Sequence, residues 1–350
     1  LRVRKRRTPV FNSGSRQALH NRAHLGVVGG LNENRLKVYK GFGLIFLIAV
    51  LMVLPQVASR FYVYITLQIL MLSLFALGFN FLFGYVGLLS FGHAAFYATG
   101  AYATGLILKN ASTSLIPGVL GGTLIATLLA LIIGFFCVRH TDVYFSMLTL
   151  AFGMMIYSLA WKWREVTGGD DGLIGIPRAP LEIPGGLRVS MRAMPNYYYF
   201  VLAISVLAIF LLYTIVKSPF GLVLQGIREN PGRVEFAGIP IKRYRLLAFV
   251  ISGFFAGLAG ALLAPLENTV APAVADWTKS SEPILASLLG GVYTFAGPIV
   301  GSALFILLKE SIVRRTEYWL LVYGIILLAI LIGLRGGIVG AVFQRKGKKK

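Results

Sequence analysis

Asp276, Lys279 and Glu282 stand at three-residue intervals in PAVADWTKSSEPILASLLGG, residues 272–291, a stretch that is otherwise apolar or small. On a helix this spacing keeps the three charges along one side, where they could relay a proton or contact a charged solute. A second candidate is His93, in GYVGLLSFGHAAFYATGAYATGLIL at 84–108, a run with five glycines and no formal charge. Ser90 precedes it, and Gln68 and Asn80 add polar groups to the apolar stretch before it. An ionisable group in such surroundings is a functional candidate by default. The plainer reading is a neutral histidine bonded to a nearby carbonyl, with Gln68 and Asn80 bonding between helices or lining a pore.

Bond-breaking chemistry has no visible seat. The chain lacks a G-x-x-x-x-G-K-[ST] phosphate loop, H-E-x-x-H and G-x-S-x-G. Its one cysteine, Cys137, excludes an internal disulfide and a cysteine metal cluster. Gly168-Gly169-Asp170-Asp171-Gly172 reads either as a calcium loop or as a plain turn held by side-chain-to-backbone bonds. The expectation is no catalytic residue, no metal and no cofactor in this chain. ATP and magnesium, if they power it, belong to partner subunits.

The elements that must position these residues are membrane helices. Of 350 residues 57% are hydrophobic and 13% charged, against about a quarter charged in soluble domains. Apolar spans are expected at 42–59, 61–83, 86–108, 115–138, 143–161, 197–216, 246–266, 297–313 and 318–334. Segment 42–59 reads as a retained first span, because the basic stretch before it is longer than a signal peptide uses. Nine spans would put the two basic ends on opposite sides. Counting 272–291 as a tenth, crossing or re-entrant, keeps both in the cytoplasm and satisfies the positive-inside rule. Its charges would then face the protein interior, a water-filled path or the outer headgroups. The expected fold is an all-α polytopic bundle of about ten transmembrane helices, N and C termini cytoplasmic.

The net charge is +21, and ten of the 34 basic residues fall in the first 40 positions. On a membrane protein such tails are read as topological, lying against anionic lipid, with no nucleic acid as partner. Residues 1–41 are expected to be a disordered basic tail, 42–334 the membrane domain, and 335–350 a second basic tail. Small residues recur at four-residue spacing: Gly253 and Gly257, the adjacent stripe through Gly260, and Gly297 with Gly301. In lipid such stripes let backbones approach closely. Ser90 is expected to cap a helix beginning at Phe91.

The longest connection on the side of the basic tails, 217–245, carries KSPFGLVLQGIRENPGRVEFAGIPIKRYR. Helix-forming residues 221–229 end at Asn230-Pro231-Gly232, and one further turn, 233–237, is stopped by Gly238 and Pro240. Arg228, Glu229, Arg233, Glu235 and Gly238 mark it as a docking element; a charged connector needed only for topology is the alternative.

The sequence resembles the membrane permeases of branched-chain amino-acid ABC importers, of the LivM type. The likeness rests on GYVGLLSFGHAAFYATGAY (84–102), TGGDDGLIGIP (167–177), IRENPGRVEFAGIPIKRYRLLAFVISGFFAGLAGAL (227–262), EPILASLLGGVYTFAGPIVGSALF (282–305) and, more weakly, GLRGGIVG (333–340). The resemblance implies a paired permease with a second homologous one, two cytoplasmic ATPases docked below, and an extracytoplasmic solute-binding protein above. It implies the bacterial inner membrane, a coupling role for 217–245 and an outer position for 162–196. Glu235-Phe236-Ala237-Gly238 stands where importers show Glu-Ala-Ala and a glycine; Phe236 departs from that pattern. Charge reversal at Arg228 or Glu235 is expected to weaken ATPase association. The expected solute is a branched-chain or related apolar amino acid. Alternatives are urea or short amides, or, in another class, an ion-gradient-driven carrier or a membrane scaffold.

Overall fold

A computed structural model describes residues 48–111, 114–183, 187–333 and 337–340. The tail 1–41 and most of 335–350 lie outside the described residues. One unit of the chain contributes helix α1, Ile48–Val57. The second unit, from Ala58 onward, holds α2 (Arg60–Val86), α3 (His93–Asn110), α4 (Leu115–Cys137), α5 (Asp142–Lys162) and the single turn α6 (Arg164–Thr167). After these come α7 (Met194–Lys217), α8 (Pro219–Glu229), α9 (Pro231–Phe236), α10 (Ile241–Glu267), α11 (Trp277–Gly290), α12 (Gly297–Val313) and α13 (Trp319–Gly333).

Five of these, α2, α4, α5, α7 and α10, are long and apolar enough to cross a membrane. The shorter strands flank them at one end. Strand β1 (Leu173–Ile174) pairs antiparallel with β4 (Thr269–Val270), and β2 (Leu181–Ile183) with β3 (Leu187–Val189). Helices α8 and α9 fill the connection between α7 and α10.

Two features depart from the sequence reading. The helix expected to begin at Phe91 under a Ser90 cap begins at His93 instead. Gly87, at φ 85°, ends α2 in a left-handed stop, its N–H bonding the Phe83 carbonyl and that of Leu88 the Leu82 carbonyl. The chain then runs without helix through 88–92, and α3 begins only at His93. Ser90 therefore caps nothing; the residue before α3 is Gly92, and the Ser90 hydroxyl, fully buried, has no hydrogen-bond partner. Likewise 272–291 is not a 20-residue helix. Residues Pro272–Ala275 form a 3-10 turn and α11 has 14 residues, about 21 Å at 1.5 Å per residue, short of a ~30 Å hydrocarbon core.

These two interruptions are matched. Helix α2 ends, a non-helical segment follows, and the shorter α3 folds back against α4; helix α10 ends, a non-helical segment follows, and the shorter α11 folds back against α12. Helix α10 packs on α3 and α4, while α2 packs on α11 and α12. The directions are reversed between the sets. The start of α2 meets the end of α10, where Tyr64 donates to Glu267 at 2.6 Å. Helix α3 runs parallel to α10, His93 facing Ser252 and Gly100 facing Gly257. Helix α11 runs parallel to α2, Ser287 facing Ala76 and the Val292 carbonyl facing Gly84. The triples α2–α3–α4 and α10–α11–α12 are thus inverted repeats of one arrangement.

The core sits around α2 and α10. Phe75, Phe79, Phe96, Phe145, Phe249 and Phe255 are among the largest fully buried side chains. Helices α4, α5 and α7 instead expose leucines and phenylalanines such as Leu124, Leu128, Phe136, Leu207 and Phe210, with Trp161 and Trp163 near one end. That is a lipid-facing surface with an interfacial aromatic rim.

Candidate functional site

Three clusters gather the residues singled out in the sequence. The first is the start of α3. His93 is completely buried, with its ring set edge-on to Phe79, Phe96 and Phe249 at centroid distances of 5.4, 5.7 and 6.3 Å. Its Nε2 lies 2.6 Å from the Ser252 hydroxyl, which itself lies 2.6 Å from the Gly78 carbonyl. A hydroxyl has one proton. Ser252 must give it to Gly78, which can only accept, so His93 Nε2 carries a proton and donates to Ser252. One hydroxyl thereby ties α2, α3 and α10, and His93 serves as a clamp. The Asn80 Oδ1 beside Gly84 and the His93 Nδ1 have no hydrogen-bond partner. Replacing Ser252 by alanine strands a buried donor and a buried acceptor, about 1–3 kcal/mol each. The expected result is a clear fall in melting temperature in detergent, while Thr99→Ala, which loses only a bond to its own helix, shifts it little.

The second cluster is the start of α11. Asp276 caps that helix, accepting from the Thr278 N–H at 2.9 Å and the Thr278 hydroxyl at 2.6 Å. Ser280 accepts from the Ala94 N–H at 2.9 Å, so the N-terminal turns of α3 and α11 meet. Lys279 Nζ donates to Glu282 Oε2 at 2.6 Å, and Lys309 Nζ, from α12, stands 3.9 Å from Glu282 Oε1. Lys279 also sits 5.4 Å above the Tyr97 ring. Asp276 is spent as a cap, whereas Lys279 and Glu282 form a charge pair with Lys309 joined to it.

The third cluster is α8 and α9. Asn230 caps α9, accepting from the Arg233 N–H at 3.1 Å, and Gly238, at φ 79°, follows its last turn. Glu229, Arg233, Glu235 and Gly238 are exposed, and Phe236 is 96% exposed. Arg228 differs. Its guanidinium bonds the Gly84 carbonyl near the end of α2, its stem packs on Gly87, and it stacks 5.1 Å from the Tyr293 ring in the α11–α12 connection. Its nearest carboxylate, Glu229, is 3.9 Å away. Arg228 thus turns largely inward, with 28% of its side chain left exposed. It joins α8 to both turns that close the inverted repeats at this end.

The match to known proteins settles what kind of bundle this is. A family model described as branched-chain amino acid transport system / permease component matches residues 61–331. The chain belongs to this family. It is a polytopic helical membrane protein of the permease kind. Across 312 residues it is 27% identical to the high-affinity branched-chain amino acid transport system permease protein LivM of Escherichia coli strain K12, covering 82% of this chain and 73% of that protein. A probable branched-chain amino acid transport permease protein LivH of Methanocaldococcus jannaschii is 31% identical over 159 residues, 42% of this chain and 48% of that one. A guanosine ABC transporter permease protein, NupQ of Bacillus subtilis, is 33% identical over 118 residues, 33% and 35% of the two chains. No solved structure matches.

In this permease the small-residue stripes are close helix contacts, against main-chain carbonyls or alanine methyls. A Cβ at Gly260 would strike the Tyr97 carbonyl, one at Gly301 the Ala286 carbonyl, and one at Gly297 the Gly291 carbonyl. Gly253 and Gly257 face Ala130 and Ala126 of α4. Residues 168–172 form a turn with Asp170 and Asp171 pointing to the surface; among the described residues no group of acidic, histidine or cysteine side chains could hold a metal. Several structural residues carried no sequence signal. Arg178 donates from Nε to the Pro265 carbonyl at 2.8 Å and from Nη2 to that of Leu266 at 2.7 Å, closing the end of α10. Tyr197 donates to the Leu262 carbonyl. Both partners are backbone oxygens, which no residue pattern marks.

Proposed function

We propose that this chain is one of two permease subunits in an ATP-driven importer of branched-chain or related apolar amino acids. It would sit in the cytoplasmic membrane of a bacterium. The family match across 61–331 carries the reading. Helices α1–α5, α7 and α10–α13 are its ten membrane passages, α11 with its preceding turn being a broken one, and both chain ends face the cytoplasm. Helices α8 and α9 lie on the cytoplasmic side, against two ATPase subunits that hold ATP and magnesium. The strands and segment 162–196 lie outside, towards a solute-binding protein. The inverted repeats suit alternating access, since two copies of one packing with opposite directions can trade places between outward and inward opening.

The test is uptake by the intact complex in sealed vesicles. Leucine uptake should require ATP inside with the ATPases and binding protein outside, and should vanish when either is withheld. Uptake that persists on an ion gradient alone would replace this reading with the carrier. A second reading concerns the solute. The match to a guanosine permease over 118 residues favours testing a nucleoside in parallel, with urea and short amides as further competitors.

Topology is tested separately. A cysteine introduced at Arg233, with Cys137 replaced, should resist membrane-impermeant thiol reagents in intact cells and react once the membrane is opened.

A further inference from the structure

We infer that Lys279, Glu282 and Lys309 form a site for the charged head of a zwitterionic solute in transit. The inference rests on the importer reading above and names the residues that would recognise its cargo.

Depth comes first. Lys279 lies over Tyr97, whose ring packs 4.7 Å from that of Phe75. Phe75 stands near the middle of α2, which runs Arg60–Val86. Because Ser287 faces Ala76 on the parallel α2, Lys279 and Glu282 lie between the middle of α2 and its Tyr64 end, alongside Lys309 near the end of α12. Their side chains are 25% (Lys279), 16% (Glu282) and 39% (Lys309) exposed on the isolated chain. A charge facing hydrocarbon costs up to about 3 kcal/mol, the value at the bilayer centre. This face is therefore turned away from lipid, opposite in character to the leucine- and phenylalanine-rich faces of α4, α5 and α7.

The chemistry follows from the geometry. Two cations share one carboxylate: Lys279 at 2.6 Å on one oxygen and Lys309 at 3.9 Å on the other. The neighbouring acids are otherwise engaged, Glu267 with the Tyr64 hydroxyl at 2.6 Å, Asp276 with Thr278 and Glu310 with Arg314 at 3.2 Å. An amino-acid head presents a carboxylate and an ammonium a few ångströms apart. Its carboxylate replaces part of the Glu282 interaction at Lys279 and Lys309, and its ammonium pairs with Glu282. Charge stays balanced at each step, so no bare ion is left in the membrane. The N-terminal turn of α11 adds its partial positive charge on the carboxylate side. A neutral amide such as urea offers no such exchange.

The intact complex in proteoliposomes, with leucine as probe, tests this. In Glu282→Gln, leucine uptake should fall at least ten-fold, while ATP hydrolysis stimulated by leucine-loaded binding protein stays within two-fold of wild type. The exchange variant, Lys279→Glu with Glu282→Lys, keeps an ion pair but reverses its direction along α11. It should recover yield and melting temperature without recovering uptake. Should it restore uptake, the pair is a structural salt bridge and the inference is overturned; normal uptake by Glu282→Gln overturns it too. If these variants do not assemble, Lys309→Met at the looser end decides: a rise of five-fold or more in the uptake KM supports the site, and an unchanged KM refutes it. Failure of the wild-type complex to import leucine would count against the importer reading instead.

Discussion

Gly260→Leu will leave no folded permease to purify. The glycine lies where α10 crosses α3 with no side chain between them, and any Cβ there collides with the Tyr97 main-chain carbonyl. A carbonyl in a helix cannot swing aside as a side-chain end does, so α10 and α3 must part. Overpacking in a core costs about 1–3 kcal/mol and sometimes more. Here the parting also threatens the adjacent clamp of His93, Ser252 and Gly78, because α3 and α10 carry two of its three members. In a membrane no burial of apolar surface between helices compensates for lost close packing. Size-exclusion profiles of a fluorescent fusion should show aggregate in place of the wild-type peak. Gly301→Leu should behave alike, since its Cβ meets the Ala286 carbonyl, whereas Gly324→Ala, with open space around it, should be indistinguishable from wild type.

The second large effect concerns transmission. Arg228→Met should lower uptake by ten-fold or more and leave the ATPases bound, hydrolysing ATP with little response to the loaded binding protein. The methionine retains the apolar stem but loses the bond to the Gly84 carbonyl and the stacking on Tyr293. Those contacts link α8 to the turns after α2 and after α11. A helix pushed from below would then move without carrying those turns. Phe236→Asp is the contrasting case. That ring is almost fully exposed on α9, and its replacement should reduce co-purification of the ATPases without changing the melting temperature of the permease itself. Loss of ATPase binding in Arg228→Met, with Phe236→Asp unaffected, would reverse the two assignments.

Much of this was legible in the chain. The long helices, the stop at Gly238 and the helical pieces on either side of Asn230 follow from apolar runs, caps and breakers, which act locally. The glycine stripes were legible because spacing alone places small residues on one helix face. A break before α3 was legible too, since a helix was expected to start only at Phe91. That 88–92 is buried without helix, and that α11 shrinks to 14 residues behind a 3-10 turn, was not: a buried segment leaves no polar mark when its main-chain groups are satisfied from other helices. Phe91 N–H bonding to the Thr149 hydroxyl is one such case. The inward turn of Arg228 was also invisible, since its partners are a main-chain oxygen 144 residues away and a tyrosine ring. In the loop its charge looks like that of its neighbours.

The bare contacts of Gly100 with Gly257 and of Gly290 with Gly297 bear on how the bundle can deform. Most helix pairs mesh like gear teeth, and moving one past the other means lifting side chains out of their sockets. A seam of glycine against carbonyl has no teeth. Along it one helix can glide on another by an ångström or two with little change in contact energy, while separation perpendicular to the seam stays costly. Shear is the motion such a seam allows, and the hydrogen-bond clamp of His93, Ser252 and Gly78 is what resists it between α3 and α10.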